Sequence, residues 1–250
     1  MQEINMKLIV IRHGESEADI LGVIEGHADF NITYKGVRQT EALANHLKNF
    51  YTPRYIYSST LKRARQTAEI IAEKYNLSPI YLDDLREFNN GLLKGLSREV
   101  ANRLYPKKKL SEQYESLYQM ESMIEFKLRA VNTLRFIQNN KKIRDTVLIV
   151  AHGGTIKRLY EVFFNRMPPE DFLTSDTGYH VWETGVPSAL KTNVTTHLES
   201  VNQNNKMHIM NLLDEPFKKI LLGEKTVELR LNDDKRKLIE INDHIEFSLL

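Results

Sequence analysis

With 250 residues, a formal charge of +2, and 41% hydrophobic against 27% charged residues, the chain has the composition of a soluble globular protein. It has room for one large α/β domain, with or without a small appendage. The near-neutral charge gives no overall reason to expect nucleic acid, and the absence of cysteine excludes disulfides and thiolate chemistry, leaving only His and carboxylates to hold a zinc ion. The first residues, Met1-Gln2-Glu3-Ile4-Asn5, have neither the basic nor the apolar region of a signal peptide. No apolar run nears the ~18 residues needed to span a bilayer, so a cytoplasmic enzyme without a membrane partner is expected.

In chain order, Leu8, Ile9, Val10 and Ile11 form a continuous apolar run ending at Arg12-His13-Gly14, the pattern of a strand buried on both faces. Val37, Thr40, Ala44 and Leu47 mark one face of a helix over residues 34–50, which Pro53 stops, and Tyr55-Ile56-Tyr57 follows as a short strand. Ser58-Ser59-Thr60 supplies N-cap chemistry for a helix carrying Leu61, Ala64, Ala68, Ile71 and Tyr75, with Arg63 in its first turn. Ile80-Tyr81-Leu82 reads as a strand leading to Glu87, after which Gly91 and Gly95 loosen the chain into a loop. Residues 97–120 are polar, and their Lys107-Lys108-Lys109 run reads as a solvated insertion. A helix through Ile124, Leu128, Val131 and Leu134 precedes a second buried strand, Val147-Leu148-Ile149-Val150-Ala151, which ends at His152-Gly153-Gly154. Another helix (Ile156, Leu159, Tyr160, Phe163) and two strands at residues 178–183 and 193–198 close the pattern. Strands alternating with helices predict an α/β fold with a mostly parallel sheet.

In such sheets ligands collect at the carboxyl ends of the strands. His13 and His152 therefore meet in one pocket if their strands are neighbours. Arg12 and Arg63 offer planar N–H forks that match phosphate oxygens in pairs, and the backbone N–H groups after Gly14 form an anion site at a helix start. A neutral His13 can attack phosphorus in line, giving a phosphohistidine that water later opens. His152 can donate to a phosphoryl oxygen, and Glu87 can protonate the departing alkoxide. Phosphoryl transfer relies on positioning and charge stabilisation, so this constellation calls for no metal and no cofactor.

Arg12-His13-Gly14-Glu15-Ser16, Gly26 to Asp29 with Thr33 and Gly36, Ser58-Ser59 with Leu61, Arg63, Ala64, Gln66 and Thr67, Glu87, and His152-Gly153-Gly154 together resemble the histidine phosphatase superfamily, the phosphoglycerate mutase-like fold. The match runs in order over roughly the first 200 residues. It implies a three-layer α/β/α sandwich, His13 as nucleophile, Arg12, Arg63 and His152 as the phosphate pocket with Gly14, Ser16 and Gly153, and Glu87 as proton donor. Asp19, Glu25, Gly26 and His180 are expected at the pocket rim. The family commonly has Asn in place of Asp19 and an uncharged polar residue in place of Glu25, so these two carboxylates would repel a strongly anionic substrate. Mutases of the family carry an Arg and a Tyr shortly after the acidic residue, where this chain has Phe88 and Asn90. The expectation is thus a phosphatase acting on a small phosphorylated substrate, with phosphoglycerate mutase as the alternative.

Asn202-Gln203-Asn204-Asn205 suggests a linker at residues 201–206. Beyond it, residues 207–250 are expected to hold a helix (216–222) and two strands (226–231 and 244–249). Gly223-Glu224-Lys225-Thr226-Val227-Glu228-Leu229-Arg230 resembles part of an ASCH domain, a PUA-like barrel linked to RNA, with Lys225, Glu228 and Arg230 as its motif. Such barrels are longer than this tail, so a partial, truncated ASCH-like α+β appendage is expected. A rival reading makes the whole protein an RNA-associated binding module on an inactive scaffold.

Overall fold

The computed structural model describes residues 6–106, 108, 112, 114–139, 145–203, 207–212 and 244–249. By its contacts the chain divides into two compact units, Met1–Leu198 and Glu199–Leu250.

The larger unit is built on a six-stranded sheet. Its strands are β1 (Lys7–Arg12), β2 (Tyr55–Ser59), β3 (Ile80–Leu82), β4 (Thr146–Ala151), β5 (Tyr179–Glu183) and β6 (Lys191–Val194), in the spatial order β3-β2-β4-β1-β5-β6. β1, β2, β3 and β4 are mutually parallel; on the far side of β1, β5 pairs antiparallel with β1 and β6 antiparallel with β5. The helices between them are α1 (Glu17–Leu21), α2 (Tyr34–Lys48), α3 (Lys62–Tyr75), α4 (Arg98–Leu104), α5 (Met123–Asn139) and α6 (Gly153–Phe164).

Alternation along the strands explains the layering. Ile9, Ile11, Ile56, Leu148 and Val150 point to one face and pack on Leu43 and Leu47 of α2 and Ala64, Ala68 and Ile71 of α3. Leu8, Val10, Tyr57, Val147 and Ile149 point to the other face, onto Leu134 and Ile137 of α5 and Ile156, Leu159 and Tyr160 of α6. Leu8 through Ile11 are fully buried, each worth roughly 1.5–3 kcal/mol relative to exposure. This is the α/β sandwich that the apolar runs predict, with helices on both faces of the sheet.

Two features place the site. β1 and β4 are adjacent and in register, with Arg12 opposite Ala151, so His13 and His152 leave the sheet side by side. From β1 the chain proceeds to β2 beyond β4, and from β4 it crosses to β5 beyond β1. The sheet therefore reverses winding between these two strands, which opens a crevice at their carboxyl ends.

Some boundaries differ from expectation. The polar stretch near residue 100 folds one short helix, α4, N-capped by Ser97 at the Val100 N–H; Lys108 is exposed, and Lys107 and Lys109 lie outside the described residues. The strand expected at residues 193–198 is β6, ending at Val194, because a turn from Thr195 to Leu198 interrupts it. Residues 201–203, expected as linker, finish the helix α7 (Leu198–Gln203), in which Leu198 and Val201 stand one turn apart. The second unit contains β7 (Met207–Leu212) and β8 (His244–Leu249), which pair in parallel. The helix and strand expected at 216–222 and 226–231 lie outside the described residues, as do Lys225, Glu228 and Arg230. Among the described residues no helix is long and apolar enough to cross a membrane.

Candidate active site

His13 is fixed through both its backbone and its ring. Its N–H donates to Ala151 O of β4 at 3.1 Å, and its carbonyl accepts from Thr177 N at 3.1 Å. Thr177 sits at φ 53°, costly for a β-branched residue, and is buried. The Nδ1–H of His13 donates to Gly14 O at 2.8 Å, while Nε2 accepts from Arg63 Nε at 3.3 Å. This pairing selects the neutral tautomer with its lone pair on Nε2. Burial, followed by the charges of Arg63 and Arg12, holds the imidazole well below its ordinary pKa, so the ring is unprotonated and nucleophilic near neutral pH.

His152 caps α6, and its ring centroid lies 5.0 Å from that of His13. Its Nε2 contacts Ser59 Oγ at 2.9 Å. Ser59 Oγ accepts from Leu61 N at 3.2 Å and keeps its own proton to give to Nε2, an arrangement matched by the tautomer with the imidazole proton on Nδ1. His152 Nδ1 and Arg12 Nε are buried and lack a protein hydrogen-bond partner. Of the two residues only Arg12 lines the two cavities at the crevice; His152 stands behind them at the adjacent strand end, and unpaired buried donors there are what an oxyanion would satisfy. Burial is also the main reason that His152 is held well below its ordinary pKa.

The arginines are used differently from one another and from expectation. Arg12 donates NH1 to Thr174 O at 2.8 Å, and its NH2 pairs with Asp176 at 3.1 Å and Asp19 at 3.8 Å. Arg63 is fully buried, and its fork grips the loop after α1 through NH1 to Ala28 O and NH2 to Gly26 O, both at 2.9 Å. Only its Nε reaches His13 and the Glu25 carboxylate. Gly26 takes φ +48° to present its carbonyl there.

The expected backbone anion site does not form. Gly14 N donates to Thr67 Oγ1, Glu15 N to Gln39 Oε1 and Ser16 N to Asp19 Oδ2, so these donors tie the loop to the surrounding helices. Gly14 serves packing instead, since a Cβ there would lie 2.7 Å from Gly36 O. Ser16 is buried, with its hydroxyl engaged by Asp19 and Glu25. At the start of α6 the anion is the carboxylate of Glu87, which accepts from Gly154 N at 2.9 Å and from Phe88 N at 2.7 Å.

A cavity of about 300 Å³ is lined by Arg12, His13, Glu25, Glu87, Gly153, Gly154, Lys157 and Thr174. Beside it, a cavity of about 760 Å³ shares Arg12, Glu25, Glu87 and Gly154 and adds Asp19, Gly26, Val23, Ile24, Phe88, Asn90, Arg98 and Tyr105 among its walls. Asp19, Glu25 and Gly26 thus stand where the rim was expected, with Glu25 reaching inward to His13. His180 does not line either cavity. It pairs with Val10 inside the sheet, stacks on Phe172 at 4.7 Å, and accepts from Asn193 N. The second residue of β5, it faces the core; burial pushes its pKa down to about 4.

Several residues of the site carried no sequence signal that was read. Lys157 lies one helical turn beyond Gly154, a spacing that could have placed it. Arg129 clamps the Glu87 loop, donating to the carbonyls of Asp84, Arg86 and Glu87 and pairing with Glu121, while His27 Nε2 donates to Glu87 O. No local motif announces these tertiary contacts. Among the described residues no group of three or more His, Asp or Glu side chains is arranged to hold a metal ion.

Comparison with known proteins agrees with this geometry. The family model described as histidine phosphatase superfamily (branch 1) matches residues 8–183. The chain is 32% identical over 166 residues to phosphoglycerate mutase-like protein 4 of Arabidopsis thaliana, covering 62% of this chain and 70% of that protein. It is 28% identical over 165 residues to a metal-independent phosphoserine phosphatase of the same plant, covering 62% and 67%. Among solved structures, the phosphoserine phosphatase of Entamoeba histolytica in complex with 3-phosphoglyceric acid aligns with a TM-score of 0.62 and 27% identity, over 77% of this chain and 99% of that one. With strands, paired imidazoles and family match all falling on the same residues, the chain belongs to the histidine phosphatase superfamily.

Proposed function

We propose that the protein is a metal-independent phosphatase that hydrolyses phosphomonoesters through a phosphohistidine on His13. The observation that carries this reading is the neutral His13 ring, locked by Gly14 O with its Nε2 lone pair at the floor of a small cavity that Arg12 and Lys157 also line. As Nε2 attacks phosphorus it gives up its hydrogen bond from Arg63 Nε, and the N–P bond forms as the P–O bond to the leaving group breaks. Arg12 and the Nδ1–H of His152 stabilise the charge on the phosphoryl oxygens. Glu87 touches both cavities, as a group serving the leaving oxygen and later the attacking water must. Its two N–H donors, Phe88 N and Gly154 N, fix where it stands.

The adjoining cavity receives the leaving group. Its Phe88, Ile24 and Val23 beside Asn90 and Arg98 suit a partly apolar organic moiety better than a second phosphate, which favours hydrolysis over mutase chemistry. Two measurements test the reading together. Rapid acid-free quenching with a labelled aryl phosphate should trap acid-labile phosphate on the protein, and His13→Ala should lose both the label and at least about 10³-fold in turnover. Retained turnover in that variant would overturn it. A panel of sugar phosphates, nucleotides, phosphoamino acids and phosphoglycerates then ranks substrates, and production of 2-phosphoglycerate from 3-phosphoglycerate would instead establish a mutase.

A further inference from the structure

Glu25 brings a carboxyl against the nucleophile. Its Oε2 is 3.7 Å from His13 Nε2 and its Oε1 is 3.4 Å from Arg63 Nε. A phosphorus atom poised for attack lies ~3–3.5 Å from Nε2, so the phosphoryl oxygens must settle against this carboxyl. Two adjacent anions repel unless a proton lies between them.

The surrounding hydrogen bonds show where that proton resides. Ser16 Oγ is within bonding distance of both Asp19 Oδ2, at 3.0 Å, and Glu25 Oε1. A hydroxyl has one proton to give. Asp19 already accepts from Ser16 N at 2.8 Å and pairs with Arg12, so the Ser16 hydroxyl proton is left for Glu25 Oε1. With Oε1 accepting from Ser16 and facing Arg63 Nε, the oxygen left to carry the proton is Oε2, which faces His13 Nε2 and the phosphoryl oxygens.

We propose that Glu25 engages the phosphoryl group as a neutral carboxylic acid, donating a hydrogen bond to it, so that substrate binding is coupled to one proton that an amide at this position would not require. This rests on the phosphatase reading for the identity of the anion. The groups around Glu25 come from three elements and their loops: Arg12 and His13 after β1, Ser16 and Asp19 at α1, and Arg63 on α3, with Glu87, Lys157 and Asp176 sharing the crevice. Burial raises the Glu25 pKa and Asp19 adds to that, while Arg63, the Ser16 hydrogen bond and Arg12 pull it down; the balance is upward.

The test compares the full chain with E25Q, titrating inorganic phosphate calorimetrically between about pH 5 and 8. The ion's own titration cancels in the ratio of the two affinities. Above the Glu25 titration, wild-type affinity relative to E25Q is expected to fall about tenfold per pH unit; a ratio constant across the range overturns the proposal. The Glu25 carboxyl carbon, observed by ¹³C NMR and assigned by its loss in E25Q, should titrate above the ordinary glutamate range and move higher when phosphate is added. A midpoint in the ordinary range or below it overturns the proposal, and E25A replaces the amide variant if that variant does not fold. Turnover of an aryl phosphate by the wild type is read in parallel. A raised carboxyl titration in a protein with no turnover supports the proton assignment and counts against the phosphatase reading alone.

Discussion

The imidazoles and the carboxylates of this site are held by different means. His13 and His152 leave two adjacent strands whose register is fixed by a fully buried core, so shifting either would disturb the whole sheet. Glu25 and Glu87 stand on loops that arginines grip by their carbonyls: Arg63 through Gly26 and Ala28, and Arg129 through Asp84, Arg86 and Glu87. The imidazoles thus inherit the rigidity of the fold, whereas the two carboxyl groups depend on a few polar contacts that single substitutions can remove.

The strongest way to sharpen that contrast is Glu87→Gln. With an alkyl phosphate, turnover is expected to fall by about 10²–10⁴-fold, and with a nitrophenyl ester, whose leaving group needs no proton, by far less. Steady-state rates on the two esters check this, and equal losses would remove Glu87 from the leaving-group step. Arg129→Ala should break the carboxylate half alone, lowering kcat on alkyl phosphates by about 10–100-fold while phosphohistidine still forms from the aryl ester. In a Glu87→Gln background it should add little, because the two residues act as a unit. Gly154→Ala drives a methyl group into the Glu87 carboxylate and should resemble Arg129→Ala in kinetics. On the imidazole side, Ser59→Ala frees His152 Nε2 and lets the tautomer change, costing about tenfold in kcat with KM for the aryl ester little altered.

Acid should attack the imidazole half through stability. His13 and His152 are held well below their ordinary pKa by burial, and His180 and His197 are pushed down to about 4 for the same reason. A base whose folded pKa is depressed binds fewer protons in the folded state. Its contribution is complete above the unfolded value of about 6.5 and is lost as pH falls towards the folded value; for His180 it is on the order of 3 kcal/mol. Urea midpoints followed through the buried Trp182, the sole tryptophan, should therefore decline from about pH 6.5 downward. A midpoint flat to pH 4 would contradict the buried neutral histidines.

This division also explains what could be read from the residues alone. Strand periodicity placed β1 and β4, and the order of the histidine and arginine blocks placed His13, His152, Arg12 and Arg63 near one crevice, because each signal is local and repeated. The engagement of the Gly14 and Glu15 N–H groups with Thr67 and Gln39 could not be read, since it depends on α2 and α3 closing over that loop. For the same reason Arg129 and Glu121 stayed silent, being a tertiary clamp with no spacing of their own. His180 misled because a histidine near the end of a strand looks the same in sequence whether its side chain meets solvent or, as here, the ring of Phe172.

The loop after β1 has a consequence for how the pocket could be altered. A cradle made of main-chain amides keeps its polarity whatever residues occupy it. Here the amides after His13 are tied into the scaffold, so under the proposed function an anion would be met chiefly by guanidinium, imidazole, ammonium and carboxyl groups. Those side chains are individually exchangeable, so discrimination among tetrahedral oxyanions such as phosphate, vanadate and sulfate can be redrawn one substitution at a time without rebuilding the backbone.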